Sequence, residues 1–255
     1  MSGVVGPRLS TVFENQYSFD FDGTDAEFVG AVNYDNADGT TKMTISAWIN
    51  IENSTTNSYL VSVIGINNFS FAVRLQTITN TVCHLYTETA GNNNRASTNL
   101  GNIKNTGWHH LLICLDLSLP TFTECQIYLD GVAQTMTGYY AASVLPNATG
   151  PLTIGNSQFN TGTNWYGGKV DEIAIWVGED LRSQDKVNEI YELGLLTGLN
   201  KLPTIPQPTT WFRMGDTSTF SNPGGSGVWI MTDVNGGYTV TSSGIAESDR
   251  ITDTP

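Results

Sequence analysis

Basic residues are scarce in this 255-residue chain, 11 lysines and arginines against 24 aspartates and glutamates, for a formal net charge of -13. A surface of that sign repels phosphate backbones, and no Lys/Arg cluster supplies the footprint that nucleic acid requires, so nucleic acid is not expected as a partner. Long apolar runs are also missing. No stretch approaches the roughly 18 apolar residues of a membrane span, and no membrane insertion is expected. Met1 to Arg8 lacks the charged-then-apolar pattern of a secretory signal, so the expected product is made in the cytoplasm. Cysteine is rare, and Cys83, Cys114 and Cys125 show no Cys-x-x-Cys spacing. That excludes a zinc ribbon and a dense disulfide framework and predicts buried free thiols, a Cys114–Cys125 bridge across a hairpin being the one exception to test.

What is abundant points to strands. Only 14% of residues are charged and 39% are hydrophobic, with glycine, asparagine, threonine and serine spread throughout. Short strands joined by turns suit that balance better than helices laced with ion pairs. Tyr17, Phe19 and Phe21 alternate with polar residues up to the Asp22-Gly23 turn. Met43, Ile45, Ala47 and Ile49 form one face of a second strand, whose other face carries Trp48 among polar residues. Tyr59 to Ile64 and Phe69 to Leu75 read as a hairpin, His84 to Glu88 as a short strand, and Ala90 to Asn94 as a surface loop. Trp108 to Asp116 is nearly continuously apolar, as expected of a central strand covered on both sides, and pairs with Cys125 to Leu129 before the Asp130-Gly131 turn.

Four stretches in this order carry a resemblance: Phe19-Asp20-Phe21-Asp22-Gly23; Thr44-Ile45-Ser46-Ala47-Trp48-Ile49; Trp108-His109-His110 with Ile127 to Gly131; and Leu152-Thr153-Ile154-Gly155 leading into Gly168 to Trp176. The chain resembles the laminin G-like or concanavalin A-like lectin/glucanase modules from about Tyr17 to Gly194. The resemblance implies an all-β fold, a two-sheet antiparallel jelly-roll sandwich with one short helix and a C-terminal extension. Leu181 to Gly194 supplies that helix, with Ser183 as N-cap, Val187, Ile190 and Tyr191 on one face, and Gly194 as the left-handed stop. Leu202 to Pro208 must be an extended spacer. The strand Thr210 to Asp216 after it is similar to the ending of laminin G-like modules in tailed-phage virion proteins. The expected division is an N-terminal arm over 1–16, a laminin G-like jelly roll over 17–216 and an extension over 217–255 that orders against a neighbouring subunit. Within that extension, Val228 to Met231 and Tyr238 to Thr241 are expected strands.

Chemistry is sparsely signalled. Glycoside hydrolysis needs two carboxylates about 5 to 10 Å apart, and the glucanases of the resembled family place theirs as Glu-x-Asp-x-x-Glu, which is absent here. Asp171 and Glu172 are adjacent, so strand alternation is expected to send them to opposite faces, as structural acceptors for the turn around Gly167-Gly168 and not as a catalytic pair. His109 and His110 are likewise split and expected to be structural. Asp20, Asp22 and Asp25 are candidate ligands for calcium, which many members of the resembled family carry, although no calcium-loop motif surrounds them. No other cofactor is implied. Trp48, Tyr139-Tyr140, and Asn164 with Trp165 and Tyr166 are candidate sugar-binding residues, because an aromatic face beside an amide holds a pyranose ring.

The expected function is that of a non-enzymatic virion structural protein on the surface of a tailed bacteriophage, as capsid decoration, head fibre or tail-associated protein. Glycan binding is a candidate capacity. The expected partners are other virion proteins in a homo-oligomeric set and a cell-surface glycan, with localisation in the virion after synthesis in the host cytoplasm. A carbohydrate-binding adhesion module is the alternative, and a glycoside hydrolase a third.

Overall fold

The computed structural model describes residues 15–52, 57–64, 69–77, 79–89, 92–120, 123–137, 144–147, 150–156, 164–221 and 227–255. In chain order the strands begin with β1 (Ser18–Asp22), β2 (Glu27–Gly30), β3 (Lys42–Ile51), β4 (Asn57–Ile64), β5 (Phe69–Thr77) and β6 (Thr81–Thr89). Then come β7 (Asn92–Asn99), β8 (His109–Asp116), β9 (Cys125–Leu129), β10 (Val132–Ala133), β11 (Leu152–Ile154) and β12 (Gly167–Val177). The last are β13 (Thr210–Phe212), β14 (Ser218–Ser221), β15 (Val228–Thr232), β16 (Thr239–Ser243) and β17 (Arg250–Ile251). Among the described residues they form two antiparallel sheets. The 8-stranded sheet runs β10-β9-β8-β3-β12-β1-β17 with β13 also on β12, and the 9-stranded sheet runs β14-β15-β16-β2-β11-β4-β5-β6-β7.

The core lies between the sheets because alternation delivers one apolar face from each. Met43, Ile45, Ala47, Ile49 and Ile51 of β3 meet Val61, Val63, Val73, Leu75 and Leu85 of the opposing sheet in one buried cluster. β8 is covered on both sides, as its apolar run predicts. Leu111, Ile113 and Leu115 face this core, while Leu112 and Cys114 face outward into a second cluster with Trp176, Val187, Ile190, Leu199, Leu202 and Trp211. Cys114 and Cys125 therefore serve opposite faces, and all three cysteines are buried and free.

The outer cluster is roofed by the helical segment, α1 (Gln184–Asn188) running through a π-turn at Glu189–Leu193 into α2 (Gly194–Thr197). Ser183 occupies the N-cap position with extended backbone but makes no side-chain cap bond. Gly194 does not stop the helix, having a helical φ of -54°, and Gly198 at φ +81° does. Gly194 serves contact instead, since a Cβ there would come within 2.9 Å of Leu199 Cδ2. The proline-rich spacer then lies along the sheet, with Leu202 and Ile205 buried and the Trp176 indole N–H donating to the Pro206 carbonyl at 2.7 Å.

Two elements depart from the expectations. Asn92 to Asn94, expected in a loop, begin β7 and pair in register with β6. An edge strand draws its pairing from backbone groups, so its polar composition hides it from a hydrophobicity pattern. The segment after 217, expected to order against a neighbouring subunit, orders on this chain's own sheets. β16 pairs with β2 and β17 with β1, and Trp229, Met231, Tyr238 and Val240 enter the main core.

Candidate functional site

β12 carries the most concentrated chemistry, and its geometry begins with glycine. Gly168 has φ +132°, and a Cβ on it would lie 2.1 Å from the Asn50 carbonyl oxygen, so only glycine lets β12 close on β3 here. Four residues later the strand bulges. Asp171 pairs with Trp48 and Ala174 with Ser46, leaving Glu172 and Ile173 opposite the single residue Ala47. Glu172 takes φ +50°, the left-handed conformation of a bulge residue. The bulge corrects the expectation that Asp171 and Glu172 face opposite ways. Ile173 keeps the core face, and both carboxylates lie on the outer face among residues 15, 211, 213 and 216.

The two acids are caged. Asn15 Nδ2 donates to Asp171 Oδ2 at 2.8 Å, and the Glu172 backbone N–H donates to Asp171 Oδ1 at 2.8 Å. Trp211 Nε1 donates to Glu172 Oε2 at 2.5 Å, and Arg213 bridges Glu172 at 3.3 Å and Asp216 at 3.2 Å. Exposure is 0% for Asp171 and 3% for Glu172. Burial, then the neighbouring Glu172 charge, pushes the Asp171 carboxyl well up. Burial raises Glu172 to about 7 against the opposing pull of the Arg213 charge and the Trp211 bond. What bars this pair from flanking a glycosidic bond is enclosure, since a sugar must reach between the two groups. A cleft of about 170 Å³ bordered by Asn200, Lys201, Trp211, Arg213 and Val234 lies beside the cage.

The remaining expected site residues are dispersed. Trp48 is half-buried, stacked on Tyr191 of the helical segment with ring centroids 5.7 Å apart and 5.1 Å from His110. Tyr166, expected at the rim, is wholly buried, its hydroxyl within hydrogen-bonding reach of the Asn50 and Lys169 carbonyls at 3.3 and 3.2 Å. Asn164 and Trp165 are partly exposed, and the Asn164 carbonyl accepts the Tyr59 N–H at 3.1 Å. Tyr139 and Tyr140 lie outside the described residues.

Asp20, Asp22 and Asp25 do not converge. Asp22 Oδ1 accepts the Thr24 N–H at 2.8 Å and the Asp25 N–H at 3.2 Å, closing its own turn. Asp20 is half-buried; its carboxyl is raised by burial and then by the Glu52 charge. Among the described residues no group of three His, Cys, Asp or Glu is placed to hold a metal ion. His109 and His110 separate as alternation requires. His109 Nδ1 sits 2.7 Å from Asp130 Oδ2, and His110 Nε2 sits 2.8 Å from Ser46 Oγ, with burial pushing His110 down to about 4.

The outer face of β4 to β7 carries polar residues that the sequence reading passed over. Phe71, Val73, Leu75, Cys83, Leu85 and Ala96 take the core side, so the intervening residues face out. Tyr59, Arg74, His84 and Ser97 stand side by side across four strands, and Ala72, Tyr86 and Arg95 form the next row. The signal was present as single polar residues punctuating apolar strands, Arg74 between Val73 and Leu75 and His84 between Cys83 and Leu85. Reading them as one patch requires the strand register.

Two packed antiparallel sheets of 8 and 9 strands define a jelly-roll β-sandwich of the concanavalin A-like class. Residues 22–188 match the laminin G-like family of the concanavalin A-like lectin/glucanases superfamily, and the chain belongs to that superfamily. No curated protein sequence matches the chain. Among solved structures it is similar to a candidate carbohydrate-binding protein from Bacteroides ovatus, with 16% identity and a TM-score of 0.61, over 94% of this chain and 60% of that one. The chain thus spans less than two thirds of that protein. It is also similar to the heptameric SAP-like pentraxin of Limulus polyphemus, with 13% identity and a TM-score of 0.54, over 91% of this chain and 98% of that one. At these identities the likeness is one of fold.

Proposed function

We propose that this protein is a non-enzymatic, glycan-recognising sandwich carried on the surface of a tailed-phage particle. The observation that carries the non-enzymatic reading is the enclosure of Asp171 and Glu172, at 0% and 3% exposure, behind Asn15, Trp211 and Arg213. A glycosidase exposes its two carboxylates to substrate, whereas here Asp171 is tied to Asn15 and Glu172 to Trp211 and Arg213. Membership of the lectin/glucanase superfamily and the likeness to a candidate carbohydrate-binding protein support the glycan reading.

The virion reading rests on the Trp211-Phe212-Arg213-Met214-Gly215-Asp216 strand after its proline-rich spacer, which is similar to the ending of phage-borne modules. A net charge of -13 suits a surface held away from packaged DNA. On this reading the partners are other virion proteins, copies of this chain among them. A glycan array probed with the purified protein, together with mass spectrometry of purified particles, tests both halves. Binding to saccharides and recovery from particles are expected. Hydrolysis of a bound glycan that is lost in Glu172→Gln would sink the non-enzymatic half, and absence from particles would sink the virion half.

A further inference from the structure

Among the described residues, the outer face of β4 to β7 holds two guanidinium groups that form no ion pair with a carboxylate. In a chain of net charge -13 acids are plentiful, and some cations find one. Lys42, Lys169, Arg182 and Arg213 all do. Among the described residues no ion pair reaches Arg74 or Arg95. Arg74 lies over the Tyr86 ring with Cζ 4.8 Å from its centroid, and Arg95 is the register partner of Tyr86 on the neighbouring strand. Both arginines are thus neighbours of one aromatic residue, Arg74 over its ring and Arg95 opposite it in register. His84 stands beside them, its ring 5.8 Å from Tyr86 and its Nδ1 2.8 Å from Ser97 Oγ. Its Nε2 and the Arg74 Nε are buried without a hydrogen-bond partner.

Unsatisfied buried polar atoms and two like charges beside one aromatic residue each cost stability, and a fold keeps such an arrangement most readily where an external group relieves it. An anion does so. Stacking on Tyr86 holds the Arg74 fork in one plane, which reduces the entropy lost when two N–H groups meet two oxygens of an acid. We propose that this face binds an acidic saccharide, its anionic group held by Arg74 and Arg95, with Tyr86 as the residue that positions Arg74. This rests on the glycan reading above and adds the site and the charge of the ligand. The face is on the sheet opposite the Asp171–Glu172 cage, so ligand binding and the cage are separable.

The test is calorimetric titration of the full chain with oligogalacturonate, sialyllactose, sulfated lactose and lactose at low and high salt. Saccharides bearing acid groups are expected to bind, more weakly as salt rises, and lactose at least about tenfold more weakly, as the loss of a charge-assisted pair implies. The carboxylated and sulfated arms identify which acid the site takes. Arg74→Gln and Arg95→Gln are each expected to weaken binding about tenfold, Arg74→Lys not to restore it, and Lys201→Gln, in a 3-10 turn beside Trp211 and Arg213, to change nothing. Arg95 is exposed, so its variant carries the test should Arg74→Gln fail to fold. Equal binding of lactose, or affinity untouched by both arginine variants, overturns the site while leaving glycan recognition standing. Absence of binding to any saccharide overturns both.

Discussion

The indole N–H of Trp211 donates to Glu172 Oε2 at 2.5 Å, joining the left-handed residue of the β12 bulge to the strand that follows the proline-rich spacer. The bond spans 39 positions of sequence. It closes over a carboxylate that burial has already pushed up to about 7. Trp211→Phe keeps the aromatic volume and removes the donor, so an acceptor is left buried and short of a partner. The expected cost is about 2 kcal/mol by chemical denaturation, with no change in saccharide binding. A loss under about 0.5 kcal/mol would mean that Arg213 alone satisfies Glu172.

The same carboxylate makes stability depend on pH. Its folded pKa is raised above the ordinary value of 4.5. The stabilisation is therefore present in full below about 4.5 and is lost as pH rises through about 7. Glu172→Gln should flatten the fall in melting temperature between those values. His110 runs the other way. It is pushed down to about 4 from 6.5, so its contribution is present above 6.5 and is lost as pH falls toward 4. Melting curves of wild type and Glu172→Gln across this range separate the two; a wild-type curve unchanged by the substitution counts against the cage.

Glycine substitutions should divide sharply along β12 and its exit. Gly168→Ala places a Cβ 2.1 Å from the Asn50 carbonyl oxygen, a backbone clash that no rotamer relieves, and the variant should fail to accumulate as folded protein. Gly178 also has a positive φ, +82°, but its Cβ would meet nothing within 4 Å. Gly178→Ala should cost only about 1 to 2 kcal/mol, the intrinsic penalty of that conformation. Equal losses at both positions would show that strain, and not contact, governs Gly168.

The C-terminal strands are part of the core, and Trp229 measures this. It is 2% exposed, sits against Phe19 with ring centroids 5.2 Å apart, and donates its indole N–H to the Ala246 carbonyl at 2.9 Å. Trp229→Ala should destabilise the isolated chain by about 3 to 5 kcal/mol in denaturant melts. A near-neutral result would return the segment after 217 to the role of an independent extension.

The three thiols should be silent in the native state. Burial raises Cys83 and Cys114 to about 12 and pushes Cys125 well up. Thiol titration is expected to count none in buffer and three in denaturant, and rapid native labelling of Cys114 or Cys125 would contradict their placement on opposite, covered faces.

Period-2 patterning, turn residues and apolar runs determined the all-β class, the β3, β8 and β9 strands, the roof helix and the free cysteines, because each depends on neighbours a few residues apart. Local signals failed where the outcome depended on partners far along the chain. Asp171 and Glu172 looked separated because alternation was assumed unbroken, and a bulge against β3 together with β13 from beyond the spacer put them on one face. Tyr166 looked like a rim residue until the β12–β3 contact buried it. Arg74, His84, Tyr86 and Arg95 lie on three strands whose register alone makes them a patch. The glycine-rich C-terminal segment looked peripheral because its strands are short, yet pairing with β2 and β1 drew its aromatic residues into the core. Sequence periodicity determines which side of a strand a residue takes; only tertiary pairing decides what stands beside it.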